Sequence, residues 1–212
     1  MLVLLDLDGT LMDPAVGITR CFAHALTSLD LPVPPMTALR ALIGPPLPDS
    51  FASMGLTAPQ VDDAVALYRE RFATTGMYEN RVYDGIVDAL GGLVDAGATC
   101  AIATSKPEHF AQQIVEHFGL APFLSVVGGA SMDGTRRHKD DVIGHVLGRL
   151  PGPRTGAVMV GDRAVDVAGA RVHGVRAVAV SWGFAEPGEL KAAGPDAMVH
   201  KPAQLLPVLL AG

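Results

Sequence analysis

The sequence predicts an α/β fold: a doubly wound parallel-sheet (Rossmann-like) core with an all-α cap inserted after the first strand. Three observations predict it. Short, uninterrupted apolar runs recur, each closed by glycine or a polar cluster, as strands buried on both faces of a parallel sheet require. Helical periodicity separates these runs from about residue 82 onward, which is strand–helix alternation. Between about residues 15 and 80 the pattern is helical throughout, with no convincing strand. The expected division is a core of residues 1–14 and 82–212 and a helical cap of residues 15–81.

The elements follow in order. Val3, Leu4 and Leu5 read as a buried strand that ends in Asp6-Leu7-Asp8-Gly9-Thr10-Leu11. Asp13-Pro14 reads as a helix start, the acid as N-cap and the proline in the first turn. Val16, Phe22, Ala23, Leu26 and Leu29 then form a helical stripe that Pro32, Pro34 and Pro35 end. A short helix over 37–43 is stopped by Gly44-Pro45-Pro46-Leu47-Pro48, a stiff loop unsuited to a sheet. Residues 59–74 form the last cap helix, with Val61, Ala64, Val65, Leu67, Tyr68 and Phe72 as its apolar positions. In the core, helices are expected over 87–96, 107–118, 139–150 and 164–173. Strands are expected over 99–103, 123–127, 156–160 and 176–180.

Composition narrows the function. The chain has 212 residues, 49% of them hydrophobic and 18% charged, which is a folded globular composition. A formal charge of −6 offers no broad basic surface and argues against a nucleic acid polymer as partner. Cys21 and Cys100 have no metal-ligand spacing and read as core residues. No apolar run approaches a membrane span, and the N-terminal run reaches Asp6 too soon for a signal peptide, so a cytoplasmic setting without a membrane partner is expected.

In a parallel sheet all these strand ends share one edge, the edge where open α/β folds bind ligands. Asp6, Asp8, Thr104, Ser105, Asp162 and Asp166 therefore converge. Asp162 and Asp166 lie one helical turn apart, on one side of a helix start. Carboxylates gathered this closely raise one another's pKa unless a cation compensates, and hard oxygen ligands suit Mg²⁺.

Asp6-Leu7-Asp8-Gly9-Thr10-Leu11, the strand ending in Thr104, the downstream Lys139 and Gly161-Asp162-Arg163-Ala164-Val165-Asp166 resemble the four ordered motifs of the haloacid dehalogenase superfamily. The helical insertion is similar to that family's C1-type cap. Ile43-Gly44-Pro45-Pro46-Leu47 resembles the cap's specificity loop in the phosphoglycolate phosphatase-like branch. The stretch from Met132 to Lys139 is closer to a subgroup assigned as 5′-nucleotidases.

The resemblance implies a Mg²⁺-dependent phosphomonoesterase acting on a small phosphorylated metabolite, such as 2-phosphoglycolate or a nucleoside 5′-monophosphate, as a monomer or homodimer. It implies Asp6 as nucleophile, forming an aspartyl-phosphate, and Asp8 as general acid and then base. Thr104 would bind a phosphoryl oxygen, assisted by backbone N–H groups near Ser105 and Gly9, and Lys139 would neutralise the nucleophile and the phosphoryl group. Mg²⁺ would be held by Asp6, the backbone carbonyl of Asp8 and Asp162, with Asp166 as a direct or water-mediated ligand, or as the group that orients Lys139. Cap closure would exclude bulk water. Asp84 stands where relatives usually have proline at the return from the cap, which bears on the hinge and not on the chemistry.

Other readings attach to some residues. Lys106 could touch substrate or be a solvated helix-start residue. Arg69 or Arg71 could reach a substrate anion or simply face solvent. Arg136, Arg137 and His138 read as a charged loop. A sugar phosphomutase would use the same motifs, and a non-catalytic phosphorylation switch would share an acidic Mg²⁺ pocket. The switch is disfavoured because its phosphoacceptor sits on a later strand, and the inserted cap has no counterpart there.

Overall fold

The structure, a computed structural model, describes residues 1–151 and 155–211. It divides into two compact units, one of Met1–Asp13 with Val82–Gly212 and one of Pro14–Arg81.

In chain order the strands are β1 Leu2–Leu5, β2 Met12–Asp13, β3 Arg81–Val82, β4 Thr99–Pro107, β5 Leu124–Ala130, β6 Val158–Gly161, β7 Arg176–Val180 and β8 Ala197–Val199. The helices are α1 Ala15–Ser28, α2 Met36–Arg40, α3 Leu47–Ser53, α4 Ala58–Thr74, α5 Ile86–Asp95, α6 Glu108–His117, α7 Lys139–Arg149, α8 Ala164–Val172, α9 Glu189–Ala193 and α10 Leu205–Leu210. The core sheet has six strands in the order β5-β4-β1-β6-β7-β8, while β2 and β3 pair separately. Each neighbouring pair in the larger sheet is parallel, with Leu5 opposite Ile102 of β4 and Val160 of β6. The parallel α/β core expected from the sequence is therefore the core observed.

Alternation along β1 sends Leu4 to one face and Val3 and Leu5 to the other. Leu4, Ala101, Ala103, Met159 and Ala177 meet Val142, Ile143, Val146 and Leu147 of α7 and Val167 and Ala170 of α8. Burying each larger aliphatic side chain contributes roughly 1.5–3 kcal/mol. This packing fixes α7 and α8, and with them Lys139 at the start of one and Asp166 in the first turn of the other. The sheet order reverses at β1: the chain builds outward to β4 and β5, then crosses back to β6. Asp6 and Asp162 follow the two adjacent strands of that switch point, where such sheets bind ligands.

The helical unit has its own core. Phe22 of α1 packs against Phe51 of α3 and Tyr68 of α4 at centroid separations of 4.9 and 5.1 Å. Phe72 stacks on Tyr68. α4 opens with a Thr57–Gln60 capping box, in which Thr57 N–H donates to the Gln60 side chain at 3.0 Å.

Some local expectations are corrected. Asp13 lies in β2 and does not cap α1; Pro14 occupies the N-cap position. The proline-rich stretch leads directly into α3, because Pro48 sits in that helix's first turn, where a missing N–H costs nothing. β4 continues through Lys106 to Pro107, past the expected end at 103.

Candidate active site

The site is built from turns at the carboxyl edge of the core sheet. Asp6 N–H donates to Val160 O at 2.9 Å, so the first residue beyond β1 is still fastened to β6. Gly9 adopts φ +84°, and a Cβ there would lie 2.2 Å from Asp162 Oδ2. Only glycine lets the β1 turn pass this close to the β6 turn. A Cβ on Gly183 would meet the same oxygen at 2.2 Å, and one on Gly161 would lie 2.2 Å from Asp166 Cγ. Backbone therefore packs directly against both later acids.

Lys139 enters from α7 and is 6% exposed. Its Nζ lies 3.0 Å from Asp6 Oδ1 and 2.8 Å from Asp166 Oδ1, and it donates to Ala103 O at 3.1 Å. Burial alone pushes the Lys139 pKa down, but Asp166 and Asp6 outweigh it and raise it above the ordinary value. Asp166 Oδ2 also accepts the Arg163 N–H at 2.9 Å, which satisfies one open donor at the start of α8.

Asp162 is held through both oxygens. Thr10 Oγ1 donates to Oδ1 at 3.2 Å and Phe184 N–H to Oδ2 at 2.7 Å. Thr10 is itself fixed, its carbonyl accepting Trp182 Nε1–H at 3.1 Å, and the indole meets Tyr83 edge-on. Asp6, Asp162 and Asp166 each offer an oxygen, and these atoms lie within 4.8 Å of one another. Three buried carboxylates face one ammonium, which leaves two negative charges if all are ionised. Asp162 is accordingly pushed above the ordinary carboxylate value, by burial first and then by Asp6 and Asp166. Asp166 is raised by burial, with Lys139 opposing. A divalent cation bound by these oxygens would balance the deficit, so the residues present fit a metal ion.

Asp8 lies apart from that triad. Its Oδ2 is 2.7 Å from Lys106 Nζ, and Oδ1 is buried without a hydrogen-bond partner among the described residues. Burial raises the Asp8 pKa, partly offset by Lys106 and reinforced by Asp6. A carboxyl displaced toward the neutral range beside an anionic pocket suits proton transfer. Thr104 is buried within β4, three residues before its end, its Oγ1 accepting the Lys106 N–H at 3.2 Å. Ser105 follows it, half-buried.

The structure thus brings together Asp6, Asp162, Asp166 and Lys139, with Asp8 on the same turn as Asp6. Lys106, which the sequence leaves undecided, is buried against Asp8, two positions beyond Thr104 on the same side of β4. Arg136 is tethered by Glu108, through Nη2 at 3.0 Å, and by Gly129 O, through Nε at 2.8 Å. In the helical unit Arg71 is engaged by Glu79 at 2.8 Å, and Arg20 reaches the same carboxylate at 2.7 Å. Gly183 and Phe184, which follow the last strong strand and are expected at the site edge, do lie against Asp162, whereas Glu189 was not anticipated. Glu189 lies beyond any motif, and only the position of the segment after β7 on the same edge marks that stretch.

The chain is similar to several named proteins. A 5′-nucleotidase of Pseudomonas aeruginosa is 43% identical over 91% of this chain and 88% of its own length. The tyrosine-protein kinase PtkA of Mycobacterium tuberculosis is 42% identical over 86% of this chain, which spans 62% of that protein. A plasmid-borne phosphoglycolate phosphatase of Cupriavidus necator is 34% identical over 99% of this chain and 94% of its own length. The crystal structure of a predicted phosphatase from Clostridium acetobutylicum superposes with a TM-score of 0.93, at 39% identity, covering 100% of this chain and 98% of that one. The family model for haloacid dehalogenase-like hydrolases matches residues 3–180, and the chain belongs to that family.

Proposed function

We propose that the protein is a Mg²⁺-dependent phosphomonoesterase that cleaves a small phosphorylated metabolite through an aspartyl-phosphate on Asp6. The observation that carries the reading is the pocket of Asp6, Asp162 and Asp166 around Lys139, with two charges left for a divalent cation and Asp8 beside it. Asp6, Asp162 and the Asp8 backbone carbonyl would hold Mg²⁺. The bound ion supplies charge neutralisation for the phosphoryl oxygens.

The chain's own residues do the rest. An Asp6 carboxylate oxygen attacks phosphorus while the bond to the leaving oxygen breaks, and Asp8 gives that oxygen its proton. Asp8, now ionised, takes a proton from water as the water attacks phosphorus, which releases phosphate and restores the Asp6 carboxylate. Thr104, the backbone near Ser105 and Gly9, and Lys139 hold the phosphoryl oxygens, and positioning and charge supply most of the catalysis. The role of Asp166 in this scheme is to hold Lys139, whose ammonium it contacts at 2.8 Å.

The greater identity to the P. aeruginosa 5′-nucleotidase and the stretch from Met132 to Lys139 favour a nucleoside 5′-monophosphate as substrate. The coverage of nearly the whole chain by a phosphoglycolate phosphatase supports 2-phosphoglycolate as the second reading. The test is acid quenching during turnover followed by mass spectrometry of the peptide that contains Asp6. A phosphoryl adduct on Asp6, absent from Asp6→Asn, supports the proposal. Turnover with an adduct on another residue would overturn it.

A further inference from the structure

Glu189 lies 23 positions beyond Asp166, outside the motifs, yet it grips the turn that carries both later acids. Its Oε1 accepts the Ala164 N–H at 2.7 Å and Arg163 Nε–H at 2.9 Å. Its Oε2 accepts the Glu186 N–H at 2.8 Å. Ala164 is the first residue of α8, and its N–H has no acceptor within its own helix. Burial raises the Glu189 pKa, but the backbone donors and the Arg163 guanidinium outweigh it and hold it below its ordinary value.

The segment that delivers Glu189 grips the same turn a second time. Phe184 N–H donates to Asp162 Oδ2, and Gly183 lies so close that a Cβ there would overlap the carboxylate. The Glu186 N–H bond to Glu189 closes this segment on itself between the two grips. Arg163, which separates Asp162 from the start of α8, is held on both sides: its N–H by Asp166 and its side chain by Glu189. The Asp162–Asp166 turn therefore has its position set by a strap from the end of β7 to the start of α9.

We infer that Glu189 is a positioning residue for the acidic pocket: it fixes the Asp162–Asp166 turn and thereby sets divalent-metal affinity without touching metal or substrate. The inference rests on the metal reading of that pocket. Groups that orient metal ligands from outside the coordination sphere typically change affinity about 10–100-fold when removed.

The test uses the full chain and a readout independent of turnover. Mg²⁺ and Mn²⁺ are titrated calorimetrically into the wild type, Glu189→Ala, Glu189→Gln and Leu190→Ala, and urea stability is measured on each. Leu190 is buried on the same short helix, so its truncation reports what loosening α9 does while Glu189 remains. The expected result is weakening of metal binding by about tenfold or more in Glu189→Ala. Glu189→Gln should be intermediate, because its carbonyl still takes the Ala164 N–H while its amide opposes the Glu186 N–H. Leu190→Ala should shift affinity less than threefold at comparable loss of stability. Wild-type affinity in Glu189→Ala, or an equal shift in Leu190→Ala, would overturn the inference and leave the metal site standing. Absence of metal binding by the wild type would remove the metal reading itself, and the inference with it.

Discussion

Replacing Lys139 with methionine removes one ammonium and leaves three buried carboxylates facing one another. The two ion pairs, at 3.0 and 2.8 Å, each correspond to roughly 5–6 kcal/mol of gross attraction at an effective dielectric of about 20. Most of that offsets desolvation. Removing one partner of a buried pair costs about 3–5 kcal/mol net. For a chain of this size that lowers Tm by roughly 6–20 °C, at about 2–4 °C per kcal/mol. The assay is urea unfolding of metal-free wild type and Lys139→Met at pH 7 and pH 5, read as a midpoint shift at constant slope. The difference should shrink at pH 5, because Asp166, raised to about 6, is then protonated and needs the ammonium less, whereas Asp162, raised to about 8, already carries its proton at pH 7. A loss below about 1 kcal/mol at pH 7, or an equal loss at both pH values, would refute the reasoning. Phosphate release by this variant should fall by about 100-fold or more, as for removal of a transition-state charge stabiliser.

Two further outcomes follow from the same geometry. The folded-state carboxyls of Asp162 and Asp166, at about 8 and about 6, lie above their ordinary value of 3.8. Their contribution to stability is fully present below the ordinary value and is lost as pH rises through 6 and 8. Differential scanning of the metal-free protein should show that loss, and the Tm gain from Mg²⁺ should be larger at pH 8 than at pH 5; an equal gain at both would contradict the assignment. Gly183→Ala places a methyl 2.2 Å from Asp162 Oδ2 and should destabilise by about 1–3 kcal/mol and weaken Mg²⁺ binding. Gly55→Ala meets no atom within 4 Å, so it should carry only the strain of φ +86° and leave metal affinity alone; calorimetric titration separates the two.

Much of this site is legible in the sequence for one physical reason. Parallel strands bring their carboxyl ends to one edge, so Asp6, Asp8, Thr104 and Asp162 could be gathered from three separate stretches before any coordinate is known. Asp166 follows because it lies one helical turn beyond Asp162; Lys139 was placed by the family resemblance and not by the strand ends. Other features were hidden. The burial of Lys106 depends on β4 continuing past Thr104 to Pro107, where the sequence, with proline ahead, reads as a helix start. Glu189 reaches the site through tertiary closure, and no local spacing marks it. β8 is three residues long, too short for a pattern to register. α3 was missed because Pro48 reads as a breaker in the sequence, whereas the first helical turn tolerates it. Asp13 shows the reverse error: its residue type suits a cap, but pairing with β3 holds its segment extended.

The most direct test of the central claim is phosphate release from a panel of phosphomonoesters, with Mg²⁺ and with chelator, by the wild type beside Asp6→Asn. The panel would hold nucleoside 5′-monophosphates, 2-phosphoglycolate, sugar phosphates and phosphotyrosine. The account predicts Mg²⁺-dependent release that is highest on the nucleoside 5′-monophosphates and disappears in Asp6→Asn. Release of equal rate in both proteins, or release indifferent to the chelator, would contradict it.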